Sequence, residues 1–220
     1  MRVIRLFFII ITSVVYISCA QEQQNQLLTG DPVEVDVPEG MEVATFAGGC
    51  FWCTEAVFER VKGVESVVSG YSGGKELNPT YYQVGSGRTG HAEAIQIIYD
   101  PKVVSYDNLL EIFFATHDPT TLNRQGPDVG PQYRSAVFYH NDGQKKAAAK
   151  YVNKLSSSGK FSNKIVTQRV PYLNFYEAED YHQDYYEINP NQGYIVQVTR
   201  PKVNKFIKQY PQYLKDKYKK

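Results

Sequence analysis

Two cysteines three residues apart, Cys50 and Cys53, stand in the stretch Gly48-Gly49-Cys50-Phe51-Trp52-Cys53-Thr54-Glu55, with the chain's only tryptophan between them. The third cysteine, Cys19, lies near the N-terminus. Two thiols at this spacing point to sulfur redox chemistry, provided one of them ionises. The paired glycines allow a tight turn from a strand into a helix. A helix N-terminus carries partial positive charge and unpaired N–H groups, so a cysteine placed there becomes a thiolate near neutral pH. Two plainer readings compete: a buried cysteine packs as a small hydrophobe, and a short pair can be half of a zinc site. Zinc needs further ligands, yet there is no second cysteine pair, and His91, His117, His140 and His182 are scattered without ligand spacing.

The elements that must hold this stretch can be read on either side of it. Met41 to Ala47 has the composition of a short strand, and Val57, Phe58 and Val61 share a helical face that Gly63 would end. Val64 to Tyr71 reads as a strand, followed by the turn-rich SGGKELNPT. From His91 to Tyr99 the sequence alternates as a strand, with Glu93, Ile95, Ile97 and Tyr99 on one face. Ser105 is placed to cap a helix carrying Leu109, Ile112, Phe113 and Thr116, which Asp118-Pro119 closes. A loop, TTLNRQGPDVGPQ, leads to a strand over Tyr133 to His140, a lysine- and alanine-rich helix over Gln144 to Leu155, and a strand over Ile165 to Val170. Helices are expected over Glu177 to Ile188 and Lys202 to Tyr218, and a short strand over Tyr194 to Val198. Strands and helices mix without strict alternation, which predicts an α/β (α+β) domain with a mixed sheet and helices packed on it.

The N-terminus sets the context. Arg2 and Arg5 precede an apolar run from Leu6 to Val15, and small or polar residues lead to Cys19. This is the layout of a secretory signal over residues 1–19, with Ser18-Cys19 also fitting the end of a bacterial lipoprotein signal whose cysteine is acylated. The expectation is export, either periplasmic or lipid-anchored to a bacterial membrane through Cys19. Residues 20–40 read as a polar tether, 41–200 as the catalytic domain and 201–220 as a basic C-terminal helix holding seven lysines and one aspartate. The lysines are read as a solvated face ahead of a docking patch. About 180 residues remain after the tether, enough for one core. The formal net charge of +1 argues against a general nucleic-acid binder, and a monomer is expected. A dithiol exported to an oxidising compartment would idle as a disulfide unless something reduces it, so a reducing partner is implied.

At this point the chain resembles the A-type peptide-methionine sulfoxide reductases. The likeness rests on GCFW at 49–52, GYSGG at 70–74, NPTYYQV at 78–84, SGRTGHAEA at 86–94, YDP at 99–101, HDPT at 117–120, QGPDVGPQYRS at 125–135 and AEDYHQDYY at 178–186. The resemblance implies a two-layer fold with a ferredoxin-like core, and reduction of the S epimer of methionine sulfoxide, free or in proteins, without metal or bound cofactor. It implies Cys50 as nucleophile, Phe51 and Trp52 as the wall receiving the substrate methyl, and Glu93 as acid. Tyr81, Asp128, Tyr133 and Tyr185 would complete the pocket, while His91 and His182 would act as structural hydrogen-bonding residues.

The chemistry suits those residue types. A sulfoxide has a polarised S–O bond but a poor leaving oxygen, so thiolate attack requires a proton for that oxygen. A carboxyl kept neutral by desolvation supplies it while phenol hydroxyls hold the oxygen. Glu93, flanked by alanines in an apolar strand, sits where a carboxyl pKa rises, although a glutamate on a half-exposed strand is the plainer reading. Oxygen then remains on Cys50 as a sulfenic acid, which condenses with a nearby thiol to a disulfide that a thioredoxin-like dithiol reduces. Many members of the family carry the resolving cysteine in a C-terminal tail; here the tail QGYIVQVTRPKVNKF has none, and Cys53 occupies the helix. Residues i and i+3 on a helix are neighbours, so Cys53 is expected to resolve Cys50.

Two rivals remain at this stage. A thioredoxin-like disulfide oxidoreductase would share the C-x-x-C pair but leaves the strings around Tyr81, Glu93 and Asp128 unexplained. A binding module for methyl-bearing or oxidised peptides would use the aromatic wall without turnover.

Overall fold

The structure is a computed structural model and describes residues 35–219. The expected leader, Cys19 and most of the tether lie outside the described residues. Strand β1 (Glu42–Gly48) leads through Gly49-Cys50 into helix α1 (Phe51–Phe58), then come β2 (Val64–Ser72), α2 (Tyr81–Gly85), β3 (Ala92–Tyr99) and α3 (Tyr106–Thr116). The hairpin β4 (Arg124–Gln125) and β5 (Asp128–Val129) precedes β6 (Ser135–Tyr139), α4 (Asp142–Ser157), β7 (Gln168–Pro171) and β8 (Tyr176–Glu177). The short α5 (Tyr185–Ile188) and α6 (Arg200–Gln209) follow.

Six strands form one sheet in the order β7-β6-β1-β3-β2-β8, antiparallel except for the β6/β7 pair. The run β1-α1-β2-β3-α3-β6 with spatial order β6-β1-β3-β2 is the ferredoxin-like arrangement, and the sheet is mixed, as expected. Phe46 of β1 pairs with Ile95 of β3 on one side and Val137 of β6 on the other. On the helix-bearing face its ring stacks on Phe113 of α3 at 4.9 Å. Each such fully buried phenylalanine contributes roughly 1.5–3 kcal/mol to folding.

Period-two alternation assigns the two faces. On β3, Ile95, Ile97 and Tyr99 belong to the large core under the helices, whereas Ala92 and Ala94 join Ala136, Phe138 and Tyr172 in a smaller cluster. With apolar groups above and below, β3 is a central, doubly covered strand. Ser105 caps α3 as read from sequence, and it forms a capping box with Asn108.

Three readings need correction, all near the C-terminus. The segment expected as one helix from Glu177 to Ile188 is instead β8, a 3-10 turn over Asp180–His182 and α5, interrupted at Asp184, whose φ of 51° no α-helix tolerates. The strand expected over Tyr194 to Val198 is a π turn, Ile195–Thr199, whose buried residues, Ile195 and Thr199, recur at helical rather than strand spacing. The helix expected over 201–220 ends at Gln209, because Pro211 cannot continue it. Beyond it the chain turns back under α1, where Lys62 donates its N–H to the Tyr213 carbonyl and Lys215 donates to Arg60.

Candidate active site

Gly49 makes the turn between β1 and α1 with φ at 93°, a conformation that excludes most side chains. A Cβ there would also lie 2.5 Å from Cβ and Cγ of Gln125. Gln125 is itself fixed, accepting the Asp118 N–H at 3.1 Å and donating to the Asp118 carbonyl at 3.1 Å. The β4–β5 hairpin therefore closes down on the glycine turn and carries Asp128 toward the start of α1. Cys50 takes the N-cap position of that helix.

A cavity of about 150 Å³ opens there, lined by Cys50, Phe51, Trp52, Tyr81, Glu93, Asp128, Tyr133 and Tyr194. All the residues read from sequence as nucleophile, acid and wall meet in it, with Tyr81, Asp128 and Tyr133. Glu93 arrives on β3, opposite Tyr71 of β2. It is 2% exposed, and its Oε2 accepts the Phe51 N–H at 3.1 Å. Burial pushes its carboxyl up to about 8 against that hydrogen bond, with the neighbouring Asp128 adding to the rise, so Glu93 is a neutral acid at pH 7.

The two buried thiols are pulled in opposite directions. Burial pushes Cys50 well above the ordinary thiol range, with the hydrogen-bonded Cys53 adding to it. Cys53 is drawn down to about 6, first by its bond from Cys50 and against its own burial, with Lys202, Thr199 and Tyr194 assisting. At Cys50, desolvation acts against the favourable field of the helix N-terminus.

Tyr185 does not enter the cavity. Its ring lies behind Trp52, stacked at 3.8 Å and 7°, so it supports the wall rather than meeting the space a substrate would fill. The place at the cavity is taken by Tyr194, which meets Trp52 edge-on at 5.9 Å and donates its hydroxyl to Asp128 Oδ2 at 2.5 Å. Sequence reading missed Tyr194 because the alternation of YIVQV reads as a strand; nothing local marks it among 18 tyrosines. It missed Thr199 as well, whose hydroxyl lies 3.2 Å from Cys53 Sγ. Burial raises the phenols of Tyr81, Tyr133 and Tyr194, which keeps all three as proton-bearing donors.

The histidines hold structure. Trp52 Nε1–H donates to His182 Nδ1 at 3.2 Å, which fixes the indole's third side. His91 accepts the Gly74 N–H on Nδ1 at 3.3 Å and donates from Nε2 to the Glu76 carbonyl at 2.9 Å. His117, pushed down to about 4 by burial, bridges the Phe113 carbonyl and Ser135. Among the described residues no group of three or more His, Cys, Asp or Glu side chains converges as a metal site.

A cysteine pair on one helical turn, a neutral buried acid and an aromatic wall around one small cavity define a thiol oxidoreductase. A family model described as peptide methionine sulfoxide reductase matches residues 42–214, and the chain belongs to that family. The peptide methionine sulfoxide reductase MsrA 1 of Rhodopirellula baltica is 58% identical over 178 residues, covering 81% of this chain and 92% of the relative. The MsrA of Sulfolobus acidocaldarius is 58% identical over 171 residues, covering 78% and 96%. Among solved structures, reduced Mxr1 from Saccharomyces cerevisiae superposes with a TM-score of 0.65 at 40% identity, covering 72% of this chain and 91% of that one. Methionine sulfoxide reductase A of Corynebacterium diphtheriae gives 0.62 at 35%, covering 70% and 77%.

Proposed function

We propose that the chain reduces methionine S-sulfoxide, free or in proteins, through the thiol of Cys50, and so repairs oxidised proteins. The observation that carries this reading is the shared cavity: a sulfur nucleophile and a neutral carboxyl on opposite elements, with room for a thioether between them. The substrate methyl packs against Phe51 and Trp52, where a partly positive sulfur meets the negative faces of the rings. Tyr81 and Tyr133 donate to the sulfoxide oxygen. As the Cys50 proton passes to Cys53 the Cys50 sulfur attacks the substrate sulfur and Glu93 protonates the sulfoxide oxygen, which then passes to the Cys50 sulfur as the bond between the two sulfurs breaks. Methionine leaves and Cys50 is left as a sulfenic acid.

Cys53 then displaces that oxygen to form a Cys50–Cys53 disulfide, and a thioredoxin-like dithiol partner reduces it. The enzyme acts as a monomer, exported and held at a bacterial membrane or free in the periplasm, with Cys19 as the point of lipidation. Support for export comes from the pattern of residues 1–19 alone.

Mass spectrometry after one equivalent of methionine sulfoxide, with reductant withheld, tests the reading. One methionine released per chain with two thiols lost is the expected result. Release of methionine from a Cys50→Ser variant would overturn it.

A further inference from the structure

The tail that follows Tyr194 does more than close the cavity. Its π turn delivers Thr199 to the inner side of α1, where the residue is 0% exposed and its Oγ1 lies 3.2 Å from Cys53 Sγ. A threonine in a helical segment ordinarily returns its hydroxyl toward the carbonyl four residues back. Here that carbonyl, of Ile195, accepts the Arg200 N–H instead, and the hydroxyl turns to sulfur. Single π turns recur at functional sites because they re-aim one side chain.

We propose that Thr199 is a positioning residue for the resolving thiol: its hydroxyl donates to the Cys53 sulfur and holds it facing Cys50. This rests on the reading of Cys53 as the thiol that resolves the sulfenic acid. In that step Cys53 gives up the proton it took from Cys50, its lone pair forms the S–S bond, the Cys50 S–O bond breaks, and the oxygen leaves with that proton as water. The Cys50 sulfur is reduced and the Cys53 sulfur oxidised, with no further reactant. The step needs Cys53 as thiolate and its sulfur on the line of the breaking bond. A hydroxyl anchored on a separate, fully buried turn meets both needs.

The other groups that face this sulfur are Cys50 on its own helix, Glu93 on β3, Tyr194 on the turn and Lys202 on α6; Asp128 on β5 is bonded to Tyr194. Lys202 lowers the Cys53 proton affinity along with Thr199 and Tyr194, against the cost of burying the charge.

The test compares Thr199→Val, which keeps shape and removes the hydroxyl, with Thr199→Ser, which keeps it. Thiolate absorbance against pH is measured in a Cys50→Ser background, with Cys50→Ser/Cys53→Ser as the blank. Thr199→Val should raise the Cys53 midpoint by roughly one to two pH units, the size of a hydrogen bond to a charged group. Thr199→Ser should restore it. In the protein with both thiols, disulfide closure after one equivalent of methionine sulfoxide should slow more than methionine release does. An unchanged midpoint in a folded Thr199→Val protein overturns the role of Thr199. Full thioredoxin-driven turnover by Cys53→Ser overturns the assignment of Cys53, and the proposal with it.

Discussion

Glu93 Oε2 accepts the backbone N–H of Phe51 at 3.1 Å, so the acid is tied to the first turn of the helix that begins at Cys50. The bond does two things at once. It holds the carboxyl at the cavity, and it engages one of the four N–H groups that a helix start leaves unpaired. The carboxyl stays neutral because desolvation exceeds the help of that single bond.

Activity should therefore fall as pH rises through about 8, since the reactive form of Glu93 is the protonated one. Glu93→Gln should remove this limb and lower the single-turnover rate by on the order of 10²–10⁴, read by quenched-flow methionine formation. Retention of a step near pH 8 in the variant would assign it to another group.

The same residue bears on stability. A carboxyl whose folded pKa lies above its unfolded one binds its proton more tightly when folded, so stability declines as pH climbs from the ordinary carboxylate range to about 8 and is level beyond. Glu93→Gln should flatten that decline and melt higher than the native protein at pH 8. Thermal unfolding at pH 5 and pH 8 measures it.

Cys53→Ser should release one equivalent of methionine per chain and then stall with thioredoxin as donor. A dimedone adduct on Cys50 would report the trapped sulfenic acid. Continued cycling would mean that the donor attacks Cys50 directly.

The stack of Tyr185 on Trp52 predicts a split between variants. Tyr185→Phe keeps the ring and should be close to native. Tyr185→Ala frees one face of the indole and should raise KM by roughly 2- to 10-fold, the 0.5–1.5 kcal/mol of an aromatic pair. Steady-state kinetics on methionine sulfoxide decides it.

Gly49→Ala places a methyl against Gln125 in a left-handed turn. A loss of about 1–3 kcal/mol of stability is expected, together with displacement of Cys50 from the cavity. Urea unfolding checks the first and single-turnover assays the second.

Much of this was legible in the residues. The glycine pair, the alternation on β3 and the Ser105 cap each state a local rule that the fold obeys, and Glu93 follows from its apolar flanks. The tyrosines were not legible. Tyr185 and Tyr194 differ in what lies behind them, which depends on how residues 177–199 cross α1, and no local pattern encodes that crossing. The π turn disguised itself as a strand because Ile195, Val196 and Val198 are β-branched. Packing of Ile195 and Thr199 onto α1 overrides that preference. The opposite pull on the two thiols was also hidden: a helix start favours a thiolate, but burial acts against it at Cys50.

The spacing of the two sulfurs on α1 has a consequence for timing. An enzyme whose second thiol rides on a far segment must wait for that segment to travel. With Cys53 as the proposed resolving thiol, both reactive atoms lie within one turn at the start of α1, and no far segment has to travel before the disulfide closes. On that proposal a recharging protein meets the sulfur–sulfur bond at the start of α1 directly, with no travelling segment between them.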